Sequence, residues 1–580
     1  MNGIAIIGMG CRFPGGVRDS RSYWSLLREG RCAVAEIPPE RWSLEGFYDP
    51  RPGRPDRSIS KWGGFLDDIR GFDPDLFGLS NREAADMDPQ QRLLLQVAHE
   101  AMEDARLPRG AVAGTAAGVF VGVSNADYAY LQRYRHGSGD RQAGTGTALS
   151  IVANRLSNVF DLKGPSLCVD TACSSALVAV DSACKALADG SCDLAFAGGV
   201  NLLLDPRLFV SFSRAHMLSP RGRISAFGLG ADGFVRGEGA GLVLLKRLGD
   251  ALRDGDPVQA VIRATVVNQD GATGTITAPD EDAQAAMIAL ALKRADAAPE
   301  DIGLVEAHGT GTALGDPTEA AAIGRVLRSH KRHGPVPLGS AKAALGHLEP
   351  AAGIAGLIKA VLSLRHRECA PMAGFDKPNP DIPFYDLQLT IPVRPLPLPA
   401  ATLALINAFG FGGTNACAII EGAPRAASCT VPLGPAGPVP VAIPVSGATR
   451  SHLGKYAATL SEALSPEGSL ANVPVSGIAA ALGEQKHGWP HRAALVAMDA
   501  DELRQSFDDL LGDRRDMAMS RHLPRHMEGI AVKQPRLVFT FTGQGGQYWN
   551  MGRGLMEGDA YFRDWIDRFD ALFTPESAWS

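Results

Sequence analysis

The sequence lacks the patterns that mark membrane, nucleic-acid-binding and disulfide-stabilised proteins. No apolar run approaches the roughly 18–20 residues that a membrane-spanning helix needs, and residues 1–7 lack the charged start of a signal peptide. The 63 acidic residues outnumber the 57 basic ones, whereas nucleic-acid-binding proteins usually carry a basic face. Nine cysteines among 580 residues do not make a disulfide scaffold. We therefore expect a cytoplasmic protein that binds neither membranes nor nucleic acids.

Three regions of different composition follow one another along the chain. Residues 3–421 alternate short β-branched runs, Gly-rich turns and Ala-rich stretches, a pattern typical of an α/β domain. A Pro/Ala/Gly-rich connector occupies 422–440. The next region predicts a small α/β domain, whose elements are a strand near 441–445, a helix near 450–464, a strand near 493–497 and a helix near 501–511.

A last domain begins near Pro535. Its first elements are a predicted strand at 537–541 and a Gly-rich turn at 542–547. Only about 40 residues remain after the strand starts, well short of a usual domain. We expect this region to be a fragment.

The candidate nucleophile, Cys173, lies between a predicted strand and a predicted helix. Residues 166–170 predict a buried strand, and residues 176–188 predict a largely apolar helix that ends before Gly190. A cysteine at a helix N-terminus has a lowered thiol pKa, because the helix end stabilises the thiolate. From this turn alone, a packed core cysteine is an equally good interpretation of Cys173.

The second candidate segment follows a predicted strand at 302–306. The strand leads into a Gly/Thr loop that contains His308, and loops at strand ends are common positions for reactive groups. Other polar residues of this segment are Thr310, Thr312, Asp316 and Glu319. They predict a hydrogen-bonded site around His308, although a lone histidine in such a loop is more often structural.

Two further segments carry polar and Gly-rich patterns. Lys342 and His347 precede a helix that opens with Pro350 and contains small residues for close packing. Taken alone, a solvated lysine and a capping histidine are the simpler interpretation. Residues 406–416 predict two strands joined by a Gly-rich hinge that contains Phe411.

One cysteine, two histidines and one lysine in separate strand-end loops are typical of a thiol acyl-transfer site. The stretch Gly8-Met-Gly10 imitates a dinucleotide-binding motif but lacks its third glycine and a credible ribose-binding acid. The cysteines and histidines show none of the paired spacings of metal ligands. We therefore expect neither a nicotinamide cofactor nor a metal.

The ordered motifs resemble those of one family, the ketosynthases of type I polyketide synthases in the thiolase-like condensing-enzyme superfamily. The resemblance covers nearly the whole chain. In order, the motifs are Gly3-Ile-Ala-Ile-Ile-Gly-Met-Gly-Cys-Arg-Phe-Pro-Gly-Gly, Met87-Asp-Pro-Gln-Gln-Arg-Leu-Leu-Leu, Asp170-Thr-Ala-Cys-Ser-Ser, Val235-Arg-Gly-Glu-Gly, Val267-Asn-Gln-Asp-Gly, His308-Gly-Thr-Gly-Thr and Asn407-Ala-Phe-Gly-Phe-Gly-Gly-Thr-Asn.

The resemblance implies an α/β fold of the thiolase-like type, a duplicated five-layer αβαβα arrangement. It assigns residues 1–422 to the ketosynthase and 423–534 to the small α/β linker domain between ketosynthase and acyltransferase. Residues 535–580 then form the N-terminal fragment of an acyltransferase domain. We expect that fragment to be inert, because the Gly-His-Ser-x-Gly motif of its nucleophile does not occur in the 580 residues.

The resemblance also implies a reaction. Cys173 accepts an acyl chain as a thioester, and a malonyl-type extender loses carbon dioxide so that its enolate attacks that thioester. The implied catalytic set is Cys173 as the acyl acceptor, His308 and His347 as neutral enolate donors, Lys342 orienting His347 and Glu349 electrostatically, and the backbone N–H groups of Cys173 and Phe411 as oxyanion donors. The remaining assignments are Thr310, Thr312, Phe234 and Asn407 for substrate binding, Phe411 as gate of the acyl pocket, Asp316, Glu319 and Glu349 as supporting residues, and Gln544 as a donor in the acyltransferase fragment.

The implied partners are an acyl-carrier protein, acyl and malonyl-type thioesters, the other domains of a polyketide synthase and a second copy of the chain in a homodimer. No cofactor is expected to bind these domains, since the substrates arrive on the phosphopantetheine of the carrier protein.

Three positions depart from the family pattern. Ala176 replaces a common serine, Ala344-Leu345 replaces the usual Asn-Ile before the Gly-His pair, and Gly228 stands where an aspartate is common. None of them removes a catalytic group.

Two alternatives are a non-elongating ketosynthase and a platform that only docks carrier proteins, and the intact Cys/His/His set argues against both. The starter, the extender, the number of cycles and the product stay open.

Overall fold

The chain folds into two units, Met1–Ala427 and Ser428–Ser580, which we describe separately. The computed structural model describes residues 3–136, 143–331, 334–424, 440–485, 489–512, 526–530 and 550–573. The domain boundaries at 422 and 534 stay predictions.

The first unit alternates strands and helices throughout, as the sequence predicts. Its strands are β1 (Ile4–Arg12), β2 (Val34–Glu36), β3 (Trp62–Gly64), β4 (Ala117–Gly122), β5 (Ser166–Val169), β6 (Leu194–Asn201), β7 (Gly239–Arg247), β8 (Ala260–Gln269), β9 (Ile302–Glu306), β10 (Val336–Gly339), β11 (Glu368–Cys369), β12 (Leu389–Thr390), β13 (Leu396–Pro397), β14 (Leu403–Phe409) and β15 (Thr414–Gly422). Its helices are α1 (Ser20–Arg28), α2 (Leu44–Phe47), α3 (Pro74–Phe77), α4 (Asn81–Asp86), α5 (Pro89–Asp104), α6 (Arg109–Val112), α7 (Asp127–His136), α8 (Ala143–Thr147), α9 (Leu149–Phe160), α10 (Ser175–Ala188), α11 (Arg207–Arg214), α12 (Leu248–Asp254), α13 (Glu281–Ala295), α14 (Gly315–Leu327), α15 (Lys342–Leu345) and α16 (Ala352–His366).

Eleven of these strands form one mixed sheet, in the order β12-β10-β9-β14-β15-β8-β1-β7-β6-β4-β5. β4 pairs in parallel with β5 and β6, and β9 pairs in parallel with β10 and β14. The strands between these two groups pair antiparallel. Strand β6 is buried along its whole length, as expected for a strand that is covered on both faces.

Helices cover and separate the two halves of the sheet. α5 packs against β1 and β7, and α9 packs against β4 and β5. α10 and α16 contact each other in the middle, with α10 against β4 and β6 and α16 against β9 and β14. α13 packs against β8 and β15. The alternation of helical and sheet layers confirms the predicted thiolase-like α/β fold.

The glycines of the dinucleotide-like stretch have a packing role. A Cβ atom on Gly8 would lie 2.3 Å from the carbonyl oxygen of Ala101, and one on Gly10 would lie 2.3 Å from that of Val97. Both oxygens belong to α5. The absence of side chains therefore lets α5 lie directly on β1, because any Cβ would overlap the helix backbone.

The predicted elements around the candidate nucleophile need one correction. The strand at 166–170 is present as β5, but it is the last strand of the sheet and Leu167 is 51% exposed. The prediction that it is buried was wrong, because apolar residues at a sheet edge give the same local pattern as residues in its centre. The predicted helix is confirmed as α10.

In the second unit, the predicted strands and helices at 441–445, 450–464, 493–497 and 501–511 are confirmed. The elements are β16 (Val441–Gly447), α17 (Arg450–Ala463), α18 (Val475–Gln485), β17 (His491–Ala497), α19 (Ala500–Leu511), β18 (His526–Ile530), α20 (Arg553–Gly558) and α21 (Ala560–Phe573). β17 pairs antiparallel with β16 and β18. The predicted strand at 537–541, the turn at 542–547 and Gln544 lie outside the described residues. No helix among the described residues is long and apolar enough to cross a membrane.

Candidate active site

Cys173 lies in a tight turn between β5 and α10. The turn is a 3₁₀ segment, Ala172–Ser174, that leads directly into the helix. Ala172 has a φ of 55°, a left-handed conformation that is costly for a residue with a side chain. The Ser175 hydroxyl accepts the N–H of Thr171 at 2.9 Å and donates to the carbonyl of Ala172 at 2.6 Å. These bonds hold the strained turn that presents Cys173.

A Gly-rich hinge approaches the same turn from the far half of the sheet. The hinge joins β14 to β15, and a Cβ on Gly410 would lie 2.3 Å from the carbonyl oxygen of Thr171. Only glycine permits this approach, which brings the neighbouring Phe411 to the nucleophile. The backbone N–H groups of Phe411 and Cys173 lower the pKa of the Cys173 thiol.

Burial raises the pKa of the Cys173 thiol to about 12, and the charge of Glu349 adds to the increase. Lys342 and the two backbone N–H groups act in the opposite direction. The expected lowering of this pKa was wrong for the resting protein. Moving the sulfur out of water destabilises the thiolate by more than the helix end and the N–H groups stabilise it.

His308 is held at the end of β9 by hydrogen bonds on three sides. Its Nδ1 accepts the backbone N–H of Phe409 at 3.1 Å. The carboxylate of Glu319 accepts the N–H groups of His308 and Gly309, both at 2.8 Å. Since Nδ1 is an acceptor, a neutral imidazole carries its proton on Nε2. Burial, and then Lys342 and His347, keep the pKa of His308 well below its ordinary value.

His347 has the same tautomer for a similar reason. Its Nδ1 accepts the backbone N–H of Glu349 at 2.9 Å. Its Nε2 is buried and has no hydrogen-bond partner among the described residues. Burial, and then Lys342 and Arg236, keep the pKa of His347 well below its ordinary value. The two imidazole rings lie 5.6 Å apart, so two neutral rings with Nε2–H donors share one site.

Lys342 contacts the His308 loop directly. Its Nζ donates to the carbonyl oxygen of His308 at 2.6 Å. We predicted that Lys342 orients His347 and Glu349, but its hydrogen bond goes to the other histidine. Its positive charge still acts on both imidazoles, since it lowers the pKa of each. Burial lowers the pKa of Lys342 itself.

Asp316, Glu319 and Asn407 lie behind the His308 loop. Asp316 accepts the N–H of Phe227 at 2.6 Å and that of Gly311 at 3.1 Å. The side-chain amide of Asn407 donates to Glu319 at 3.2 Å, and Asn407 is 3% exposed. These contacts support the loop from behind, so the structure places Asn407 with the supporting residues and away from the surface that a substrate would reach.

Of the remaining predicted residues, Phe234 contacts an imidazole directly. Thr310 is buried, and its hydroxyl lies 3.4 Å from that of Thr312. The ring of Phe234 packs edge-on against His347, with centroids 5.2 Å apart. Phe411 is half exposed, and its ring lies 6.5 Å from that of Phe212.

Sequence reasoning missed two buried ion pairs next to these groups. Glu349 pairs with Arg236, and Glu306 pairs with Lys359 at 2.6 Å. Glu306 also accepts the N–H of Ala341, the residue before Lys342, at 2.6 Å. The signals were present: Arg236 lies inside a recognised motif, and Lys359 is the one charged residue in the first twelve positions of the apolar helix α16.

Among the described residues, no cluster of three or more His, Cys, Asp or Glu side chains could hold a metal ion. The eight described cysteines are free thiols. The reactive groups of the site are therefore the Cys173 thiol, two neutral imidazoles and the Lys342 ammonium.

Family models match most of the chain. Residues 1–251 match the β-ketoacyl synthase N-terminal domain, 259–376 its C-terminal domain and 378–496 the ketoacyl-synthetase C-terminal extension. Two proteins of the phenolphthiocerol/phthiocerol polyketide synthase of Mycobacterium tuberculosis are similar to the chain, one 41% identical over 585 residues and the other 39% identical over 584 residues. All of the chain aligns, but it spans only 37% and 31% of those proteins.

Solved ketosynthases have the same fold. The oxazolomycin ketosynthase domain of Streptomyces albus is 36% identical, with a TM-score of 0.83, and the match covers 92% of this chain and 91% of that one. The ketosynthase from module 6 of the bacillaene synthase of Bacillus subtilis 168 is 31% identical, with a TM-score of 0.79, and the match covers 98% of this chain and 91% of that one. The chain belongs to the β-ketoacyl synthase family, as a ketosynthase region of the type I polyketide synthase kind, an acyl-transferring condensing enzyme.

Proposed function

We propose that Cys173, His308 and His347 carry out the decarboxylative condensation of an acyl group with a malonyl-type extender. One observation supports this most: two neutral imidazoles, each with Nδ1 occupied by a backbone N–H, share a site with Lys342, whose charge also acts on Cys173. The backbone N–H groups of Cys173 and Phe411 lower the pKa of that thiol. The arrangement offers donors for two separate developing oxyanions and no strong base.

The first step is acyl transfer onto Cys173. The sulfur attacks the carbonyl carbon of an acyl-pantetheine thioester, and the backbone N–H groups of Cys173 and Phe411 bind the oxygen as it becomes negative. The carbon–sulfur bond to pantetheine then breaks, and the thiol proton of Cys173 ends on the leaving pantetheine sulfur. Each donor to such an oxyanion contributes roughly 3–4 kcal/mol in well-studied enzymes.

The second step uses the imidazoles. The bond between the malonyl carboxylate and its α-carbon breaks, carbon dioxide leaves, and the electron pair forms an enolate. The Nε2–H groups of His308 and His347 donate to the enolate oxygen. The α-carbon then attacks the acyl-Cys173 carbonyl, and expulsion of the Cys173 thiolate gives the β-ketoacyl product on the carrier.

The surrounding residues deliver and hold the substrates. Thr310 and Thr312 contact the pantetheine arm, Phe234 lines the site, and the exposed ring of Phe411 gates the acyl pocket. The arm belongs to an acyl-carrier protein supplied with the other domains of a polyketide synthase. Asp316, Glu319 and Asn407 keep the His308 loop in place. This part of the proposal rests on the family resemblance and, for Phe234, on its contact with His347.

The two half-reactions can be assayed separately. Cys173→Ala should abolish acylation, followed by intact mass, while decarboxylation of a malonyl-pantetheine thioester stays measurable. His308→Ala and His347→Ala should keep acylation but lose condensation by about 10²–10³-fold each, because one donor to the enolate is removed.

His366→Ala is the matched control, since His366 is exposed and stacks on Trp24 away from the site. Condensation at the wild-type rate by His347→Ala would contradict the role of that imidazole. Acylation and decarboxylation by the wild type without any condensed product would instead identify a non-elongating ketosynthase. A panel of acyl-pantetheine thioesters in the acylation assay would define the starter class.

A further inference from the structure

Arg236 lies directly behind His347, in a position that the proposed reaction does not use. It is fully buried, and its guanidinium forms two hydrogen bonds with the Glu349 carboxylate, that of Nη2 being 2.9 Å long. The guanidinium also lies over the rings of Phe209 and Phe212, 4.8 and 5.3 Å from their centroids. A planar, bidentate contact of this kind sets the orientation of a carboxylate.

The side chain of Glu349 is held from other sides as well. Its Oε2 accepts the side-chain amide of Asn125 at 3.2 Å. The same residue has a backbone φ of 51°, a conformation that non-glycine residues adopt only when their surroundings enforce it. The side-chain contacts with Arg236 and Asn125 supply that enforcement.

This backbone conformation matters because the Glu349 N–H is the group that donates to His347 Nδ1. The segments also pair through their main chains, since the N–H of His347 donates to Val235 at 2.7 Å and that of Gly237 donates to His347 at 2.7 Å. The backbone on both sides of Arg236 therefore pairs with His347, and the Arg236 side chain binds Glu349. It does not itself reach the reacting atoms.

We propose that Arg236 is a positioning residue for His347: by clamping Glu349 it holds the Glu349 N–H on Nδ1, so that the imidazole keeps its proton on Nε2 for the enolate. This inference rests on the proposed function, because it assumes that His347 donates to the enolate oxygen. It differs from the sequence-based assignment, in which Lys342 orients His347 and Glu349.

The charges around His347 predict how loss of Arg236 would act. The ring faces Arg236 and Glu349 behind it, Lys342 from α15 and His308 from the β9 loop. Cys173 lies across the site, and Asp127 acts on both Arg236 and Glu349. Removing the Arg236 cation leaves the Glu349 carboxylate unpaired, which stabilises a protonated His347. The pKa of His347 should then rise. The acid limb of the pH–rate profile, where the rate falls as His347 becomes protonated, should therefore move to higher pH.

The test uses decarboxylation of a malonyl-pantetheine thioester by the full chain in the Cys173→Ala background, over about pH 5–8. Arg236→Met should lower the rate about 10–100-fold and move the acid limb to higher pH. Combining Arg236→Met with Glu349→Gln also removes the unpaired carboxylate. The acid limb should then return toward its position in the parent, while the rate stays low. A purely structural role would lower the rate in both variants without moving the limb.

Arg41→Met is the matched control, because Arg41 also forms a buried ion pair, with Glu238 at 3.0 Å, but has no contact with Glu349 or His347. It should leave the acid limb where it is in the parent. Arg236→Gln serves if the methionine variant does not fold: it also removes the charge, so the rate should fall and the acid limb should again move to higher pH.

The inference is overturned if Arg236→Met decarboxylates at the parent rate, or if its rate falls and its acid limb does not move. Failure of the proposed function gives a different result, because then the parent itself would not decarboxylate the thioester.

Discussion

At the scale of single residues, the chemistry of the site depends on which atoms the backbone occupies. Each imidazole receives a backbone N–H on Nδ1, which leaves Nε2–H as its only free polar group. Burial and the Lys342 cation keep both rings neutral. Neutral donors suit an enolate whose charge develops during the reaction, because they need no proton uptake from solvent.

The Cys173 thiol gives a prediction about pH. Since burial raises its pKa to about 12, the thiolate fraction at neutral pH is small and increases with pH. Alkylation of Cys173 by iodoacetamide should therefore accelerate about tenfold per pH unit from about pH 7 to 9, beyond the value near 8.5 where an ordinary thiol levels off. Mass spectrometry of the Cys173 peptide measures the rate, with Cys173→Ala as the blank. A plateau below about pH 9 would contradict the raised pKa.

At the scale of elements, the site is assembled where strands end. β5, β9, β10 and β14 each lead into a segment that carries one reactive or supporting group: Cys173, His308, Lys342 and Phe411, respectively. The segment after β14 needs a missing side chain at Gly410 to reach the nucleophile turn, and β1 needs one at Gly10 to lie against α5. Close backbone contact therefore positions both the core layers and the site.

Gly10→Ala tests the close packing of α5 on β1. The added methyl group would meet the Val97 carbonyl oxygen at 2.3 Å, and backbone in a packed layer cannot move as a flexible side chain can. We expect a loss of about 1–3 kcal/mol in the free energy of unfolding, measured by denaturant or thermal unfolding of the full chain. Gly46→Ala is the control, since no atom lies within 4 Å of its Cβ position. Equal stability of the two variants would refute the packing role.

At the scale of the whole molecule, the large sheet of the first unit ends at β5. This edge strand directly precedes the nucleophile turn, and its Leu167 is 51% exposed. An exposed strand edge is a surface on which another strand can pair. The resemblance to thiolase-like enzymes predicts that a second copy of the chain pairs here, in a two-fold arrangement that joins the two sheets.

We expect light scattering at micromolar concentration to give twice the 61.1 kDa mass of one chain. Leu167→Lys should shift the particle toward the monomer, because a two-fold axis brings the two added charges close together. Leu252→Lys adds the same charge at an exposed position of α12 and should leave the mass unchanged. A wild-type particle of 61.1 kDa would exclude the homodimer.

Several features were determined by the sequence itself. The nucleophile turn, the His308 loop and the Lys342/His347 segment each lie in a continuous motif, and the alternating pattern of strands and helices predicts the α/β class. These features are local, since a turn or a helix start depends on residues within a few positions of one another. These motifs made Cys173, His308 and His347 candidates, and the family resemblance implied their roles before any distance was known.

Other features were decided only by the tertiary structure. The pKa of Cys173 depends on how much water reaches the sulfur, and a helix start in the sequence gives no measure of that. Arg236 and Glu349 are 113 positions apart, and so are not linked by any local pattern. The hydrogen bond from Lys342 to His308 instead of to its neighbour His347 likewise depends on which strands lie side by side. Burial and pairing between distant segments are properties of the assembled layers, and for that physical reason the sequence could name the reactive groups but not the protonation of Cys173 or the pairing of Glu349 with Arg236.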